Sequence, residues 1–146
     1  MKKPLIFAAS SACVAAALAV APTAQAKSYA FYFGDVSAVC FTGQTADKPN
    51  VACEVANPWT NIPPRPASCQ GVWGNRIEIV QGGTPAFVCH TDSLSNYGPQ
   101  YQVSGTPQTN GAISCVDNPQ GIKCLDTSTG NFFVIGASSY QLYPPA

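Results

Sequence analysis

Seven cysteines in a chain of 146 residues restrict its folding more than any other feature. Cys13 stands apart from the rest. It lies in an apolar run, Leu5 to Val20, that follows the basic start Met1-Lys2-Lys3 and closes at the small-residue triplet Ala24-Gln25-Ala26. This is the layout of a signal peptide, residues 1–26, with cleavage expected after Ala26. The run is shorter than the roughly 20 residues that span a bilayer, and no later stretch approaches it, so no integral membrane segment is expected after cleavage. A lipoprotein cut at Cys13 would keep most of the apolar run on the mature chain, which is the poorer reading. Removing 26 of the 146 residues leaves 120, residues 27–146, with six cysteines: Cys40, Cys53, Cys69, Cys89, Cys115 and Cys124. An even count in a small exported chain implies disulfides and an oxidising destination, extracellular or in the cell envelope.

Six thiols allow 15 pairings, and the residues between them favour one. Cys115 and Cys124 flank Asp117-Asn118-Pro119-Gln120-Gly121, which is turn chemistry, with the strand formers Ile113 and Ile122 on either side. A hairpin with a cross-strand bridge is predicted. Cys40 and Cys53 repeat the device around a longer polar stretch, Thr42 to Asn50. Cys69 and Cys89 then bracket a third hairpin, with strands at 76–80 and 86–90 joined through Gly82-Gly83-Thr84-Pro85. No C-x-x-C is present, which removes the usual signatures of a thioredoxin-type redox pair and a zinc ribbon.

Strand signals dominate the mature chain. Tyr29-Ala30-Phe31-Tyr32-Phe33 fits a strand buried on one side and covered on the other. Arg76-Ile77-Glu78-Ile79 alternates, with the isoleucines inward. A last strand pair is predicted at 131–135 and 140–143. No stretch of twelve residues has helical periodicity. The chain is therefore predicted to be all-β, a single mostly antiparallel, disulfide-stabilised sandwich or barrel. The proline-rich stretch from Asn57 to Pro66 reads as a stiff surface connector. The polar stretch from Thr91 to Asn110 is long for an idle loop, which makes it the leading candidate for a binding surface.

Charge narrows the partners. Lys+Arg and Asp+Glu both number 7. Losing Lys2 and Lys3 with the leader leaves 5 against 7, a net charge of −2. A nucleic-acid or anionic-lipid partner needs a basic patch, so no nucleic acid is expected.

The spacing of Val39-Cys40, Val51-Ala52-Cys53, Ser68-Cys69, Trp73-Gly74, Ala86-Phe87-Val88-Cys89, Ile113-Ser114-Cys115 and Gly121-Ile122-Lys123-Cys124 resembles a family of small exported actinobacterial proteins of unknown function. The likeness covers nearly all of the mature chain after Ala38. It implies export and disulfides but no activity, because that family supplies none. Two positions depart from its pattern: Asn131 stands where a His is frequent, and Ala137 or Ser138 where an Arg is frequent.

Catalytic chemistry is sparse. His90 is the only histidine, and on an extended strand Asp92 would share its side, with Ser93 and Ser95 near. A His-Asp-Ser set suits nucleophilic hydrolysis, but no Gly-x-Ser-x-Gly elbow accompanies it, and a strand-end histidine holding a turn is the better account. Glu54, Glu78, Asp92, Asp117 and Asp126 are scattered as solvated charges and turn formers are. No catalytic residue is assigned, no cofactor is expected, and no metal-ligand spacing occurs. Trp73, before Gly74 and a clean strand, reads as core. Trp59, Tyr97 and Tyr101 remain as the candidate binding surface, since exposed aromatics stack on sugars or anchor protein partners. The leading expectation is a non-enzymatic extracellular or envelope binding module. The rivals are a peptidase inhibitor presenting the 91–110 loop and a small hydrolase using His90.

Overall fold

The structure is a computed structural model, and it describes residues 28–33, 37–103 and 105–145. The leader and Cys13 lie outside the described residues. Among the described residues eleven strands form two sheets. The first contains β1 (Tyr29–Phe33), β2 (Ala38–Thr45), β3 (Lys48–Val55), β4 (Arg76–Val80), β5 (Ala86–Phe87) and β6 (Gln100–Val103), in the order β5-β4-β3-β2-β1-β6. The second contains β7 (Gln108–Asn110), β8 (Ile113–Asn118), β9 (Gly121–Asp126), β10 (Phe132–Ile135) and β11 (Tyr140–Tyr143), in the order β11-β10-β9-β8-β7. Every pairing between named strands is antiparallel except β1 with β6. The chain is all-β, as its strand patterning predicts.

The sheets face each other across a core set by period-two alternation. Phe31, Phe33, Cys40, Val51, Cys53, Ile77 and Ile79 project from the first sheet, and Ile113, Cys115, Ile122, Cys124, Phe133 and Ile135 from the second. The disulfides pair in sequence, Cys40–Cys53, Cys69–Cys89 and Cys115–Cys124. Two of them join directly opposed residues, Cys40 with Cys53 on β2–β3 and Cys115 with Cys124 on β8–β9. Both turn inward, and they meet at the centre of the core, where the Cys53 and Cys124 sulfurs lie 3.9 Å apart. The third bridge is peripheral. It ties the long β3–β4 connection to the segment after β5.

One flank of the sandwich is filled by Trp59. Its indole is 4% exposed, contacts the rings of Phe87 and Tyr140, and donates from Nε1 to the Gly136 carbonyl at 2.8 Å. The proline-rich connection is therefore not an idle surface spacer, because it carries a core residue into the gap between the sheets. Elsewhere the sheets are joined by side chain–backbone hydrogen bonds. Asn110 Nδ2 donates to the Gly43 and Asn50 carbonyls, at 2.8 and 2.9 Å. Asn131 Nδ2 donates to the Gly83 carbonyl at 2.8 Å. The fully buried Asp126 carboxylate accepts from Gly82 N–H at 2.6 Å and from the Ser128 N–H and hydroxyl. Burial alone would raise the Asp126 pKa, but these donors more than offset it and hold the carboxyl below its usual range.

Candidate functional site

The outer face of the first sheet carries the densest polar cluster among the described residues. Strand alternation turns Glu54 of β3 and Arg76 of β4 to this face, opposite the core residues Cys53 and Ile77. The two are register partners, and Arg76 donates through Nε and Nη2 to Glu54 Oε2, at 2.8 and 2.5 Å. The same guanidinium reaches Asp92 Oδ1 at 3.1 Å and the Asp92 carbonyl at 2.9 Å. Ser93 donates to Glu54 Oε1 at 2.8 Å, and the Tyr97 hydroxyl donates to Asp92 Oδ2. That hydroxyl is the main cause of an Asp92 carboxyl held below its ordinary range, with Arg76 helping against partial burial. The Tyr97 phenol is in turn raised by Asp92. Arg76 and Glu54 are nearly buried, with side chains 7% and 11% exposed, whereas Asp92 is 40% exposed.

His90 is enclosed in this cluster. Its Nδ1 lies 2.6 Å from the Asp92 carbonyl, and its Nε2 lies 2.9 Å from Asn75 Oδ1. The Asn75 amide is oriented by donation from Nδ2 to the Val55 carbonyl at 3.0 Å. Both ring nitrogens are therefore spent on partners inside the cluster. Ser93 points to Glu54 rather than to His90. The Asp92 carboxylate is 4.0 Å from Nδ1 and is claimed by Arg76 and Tyr97. His90, Asp92 and Ser93 are thus brought together, as their spacing suggested, but as a clamp and not as a nucleophile–base–orienter chain.

The stretch from Thr91 to Asn110, expected to be a loop, is largely folded. It holds a 3-10 turn at Leu94–Asn96 capped by Ser93, then β6, then β7. The turn lies on the outer face of β2, where the Tyr97 ring packs on Phe41 at 5.0 Å between centroids. The glycine, proline and amide content that suggested a loop here serves a strand edge and a short turn.

The three aromatics taken as one surface are dispersed. Trp59 is corrected to a core residue. Tyr97, 43% exposed, lies on the outer face. Tyr101, 55% exposed, is a register partner of the inward-facing Phe31 and so projects on the opposite side of the same sheet. Trp73 is also corrected. It is half-buried rather than core, donates to the Pro63 carbonyl at 3.0 Å, and lines a small apolar recess with Phe87, Pro85 and Leu142.

An open groove of 660 Å³ adjoins the clamp, lined by Val39, Val72, Thr91, Asp92, Ser95 and Asn96 among others. That volume is within the range of small-ligand sites, about 300–1,000 Å³. Sequence reasoning reached Asp92, Ser93 and Ser95 through their proximity to His90. It missed Arg76, Asn75 and Glu54 as partners. The alternating Arg76-Ile77-Glu78-Ile79 pattern, which turns Arg76 outward beside an acidic neighbour strand, is the signal that could have found the first of them. No metal-holding group of three or more His, Cys, Asp or Glu side chains occurs among the described residues. No helix there is long and apolar enough to cross a membrane. In comparisons with known proteins, no family model, curated protein or solved structure matches the chain.

Proposed function

We propose that this chain is an exported, non-enzymatic binding module of the extracellular space or cell envelope, with its ligand seated in the groove beside the Arg76 clamp. The signal-peptide pattern and the likeness to exported actinobacterial proteins support export, as do three disulfides. The observation that carries the binding reading is the clamp itself. Glu54, Arg76, His90, Asp92 and Ser93 bond to one another, which fixes the groove wall in advance of binding and leaves it preorganised rather than reactive. The peptidase-inhibitor reading draws less support, because the 91–103 segment folds onto the sheet instead of standing away from it.

The test is co-sedimentation of the oxidised mature protein with cell envelope from the organism that makes it. A double variant, Thr91→Arg with Asn96→Arg, is run alongside to fill the groove. Both positions are exposed, and neither side chain has a hydrogen-bond partner among the described residues. Saturable binding that the double variant weakens supports the reading. An absence of binding by folded, disulfide-intact protein removes it.

A further inference from the structure

We infer that the groove takes a neutral glycan, an inference that rests on the binding-module reading and names its ligand class. Thr91, Ser95 and Asn96 offer hydroxyl and amide groups, and Asp92 offers a carboxylate exposed on one side, whereas the lining Glu54, His90 and Ser93 are engaged within the clamp. No lysine or arginine is among the lining residues. Arg76 lies beneath the surface with its charge met by Glu54 and Asp92, so a phosphate or carboxylate ligand finds no counter-charge. A polyol does find partners. Each Asp92 oxygen accepts one internal hydrogen bond and keeps capacity for another, which suits donation from a pair of sugar hydroxyls. The Asn96 amide and the Thr91 hydroxyl can both donate and accept.

The apolar part of the groove fits the same ligand. Val39 and Val72 line it, and Tyr97 reaches its Asp92 wall through the hydroxyl. The valine surfaces match the C–H faces of a pyranose ring. Tyr97 is held in advance, with its ring packed on Phe41 and its hydroxyl on Asp92. The turn that carries it is braced by Gln100 Nε2 donating to the Ser95 carbonyl at 2.9 Å. Ordering of these groups is therefore not charged against binding. A peptide partner fits less well. The groove opens on a sheet face and its bounding loops, away from the free backbone of the edge strands β5 and β6 that strand addition would use.

The experiment divides the envelope of the producing organism into untreated, periodate-oxidised and protease-digested portions and measures co-sedimentation of the oxidised mature protein with each. Periodate cleaves vicinal diols and spares polypeptide. The expected result is binding retained after protease and lost after periodate, with affinity at least tenfold weaker in Thr91→Val/Asn96→Ala and in Tyr97→Ala. The double variant removes only side chains with no hydrogen-bond partner among the described residues, and intact mass and a thermal melt separate a folding defect from a binding defect. The same two measurements are made on Tyr97→Ala. Binding that survives periodate and disappears with protease would overturn the glycan inference and leave the binding-module reading in place. An absence of binding to every portion would remove the reading itself.

Discussion

The two bridges at the centre of the core and the one at its periphery should differ in what their removal costs, and in the opposite order from loop length. The sequence separations are 20 residues for Cys69–Cys89, 13 for Cys40–Cys53 and 9 for Cys115–Cys124. Chain entropy alone assigns these loops about 3.3, 2.9 and 2.6 kcal/mol, which ranks the peripheral bridge as the most stabilising. Packing reverses that ranking. All four cysteines of the inner bridges are fully buried, and their sulfurs touch across the sheets, whereas Cys89 is exposed. Deleting a buried group the size of a methylene costs about 1 kcal/mol, so two sulfurs add on the order of 2 kcal/mol to each inner bridge. Paired alanine variants should therefore lose about 5 kcal/mol at either inner bridge and about 3 kcal/mol at Cys69–Cys89. Urea unfolding without reductant measures this directly, with slopes compared to check that the unfolded states are alike. Cys69→Ala/Cys89→Ala should fold with a lowered midpoint. If it is the least stable of the three, sulfur packing between the sheets contributes nothing and the reasoning fails. Because the inner bridges touch, the quadruple variant should depart from the sum of the two pairs.

Three further outcomes test other parts of the structure. Asp126→Asn places an amide opposite a backbone donor at Gly82 and should cost about 2 kcal/mol at neutral pH. The Asp126 pKa is lowered on folding, so its contribution is present above the unfolded carboxyl value, about 3.9, and is lost as pH falls through the folded value. The gap in unfolding midpoint between wild type and Asp126→Asn should accordingly narrow on acidification, and a gap that widens contradicts the assignment. Arg76→Ala strands the nearly buried Glu54 carboxylate and should cost about 3–5 kcal/mol by urea unfolding, part of it recovered by adding Glu54→Gln. Gly121→Ala should cost on the order of 3 kcal/mol by the same assay, because Gly121 has φ +136° and an added Cβ would lie 1.8 Å from the Ile135 carbonyl oxygen.

The strands and the bridges were legible because local chemistry specifies them. Turn residues between Cys115 and Cys124, and the alternation through Ile77 and Ile79, act over a few residues and leave a periodic trace. The site was legible only in part. His90, Asp92 and Ser93 are adjacent in the chain, whereas Glu54, Asn75 and Arg76 join them through strand register, which a single sequence does not display. Trp59 was misplaced for a related reason. A proline-rich context describes the backbone path around an aromatic ring and says nothing of which gap the ring fills. Asp126 resembles an ordinary turn former beside Thr127-Ser128, and only the opposite sheet's Gly82 reveals it as a tie between sheets.

The β1–β6 pairing has a consequence for the order in which the molecule forms. Every other strand pairing joins neighbours in the chain, so hairpins can zip locally on the scale of microseconds. Joining Ala30 to Gln100 instead closes a loop that spans most of the first sheet. Until that loop closes, β1 is paired on one side only, by β2, and its aromatic run presents an open edge on which another unfinished copy can add. The parallel ladder thus exchanges the aromatic edge of β1 for the shorter, glutamine-bearing edge of β6, and crowding of nascent copies is the condition under which a delay in that exchange would be felt.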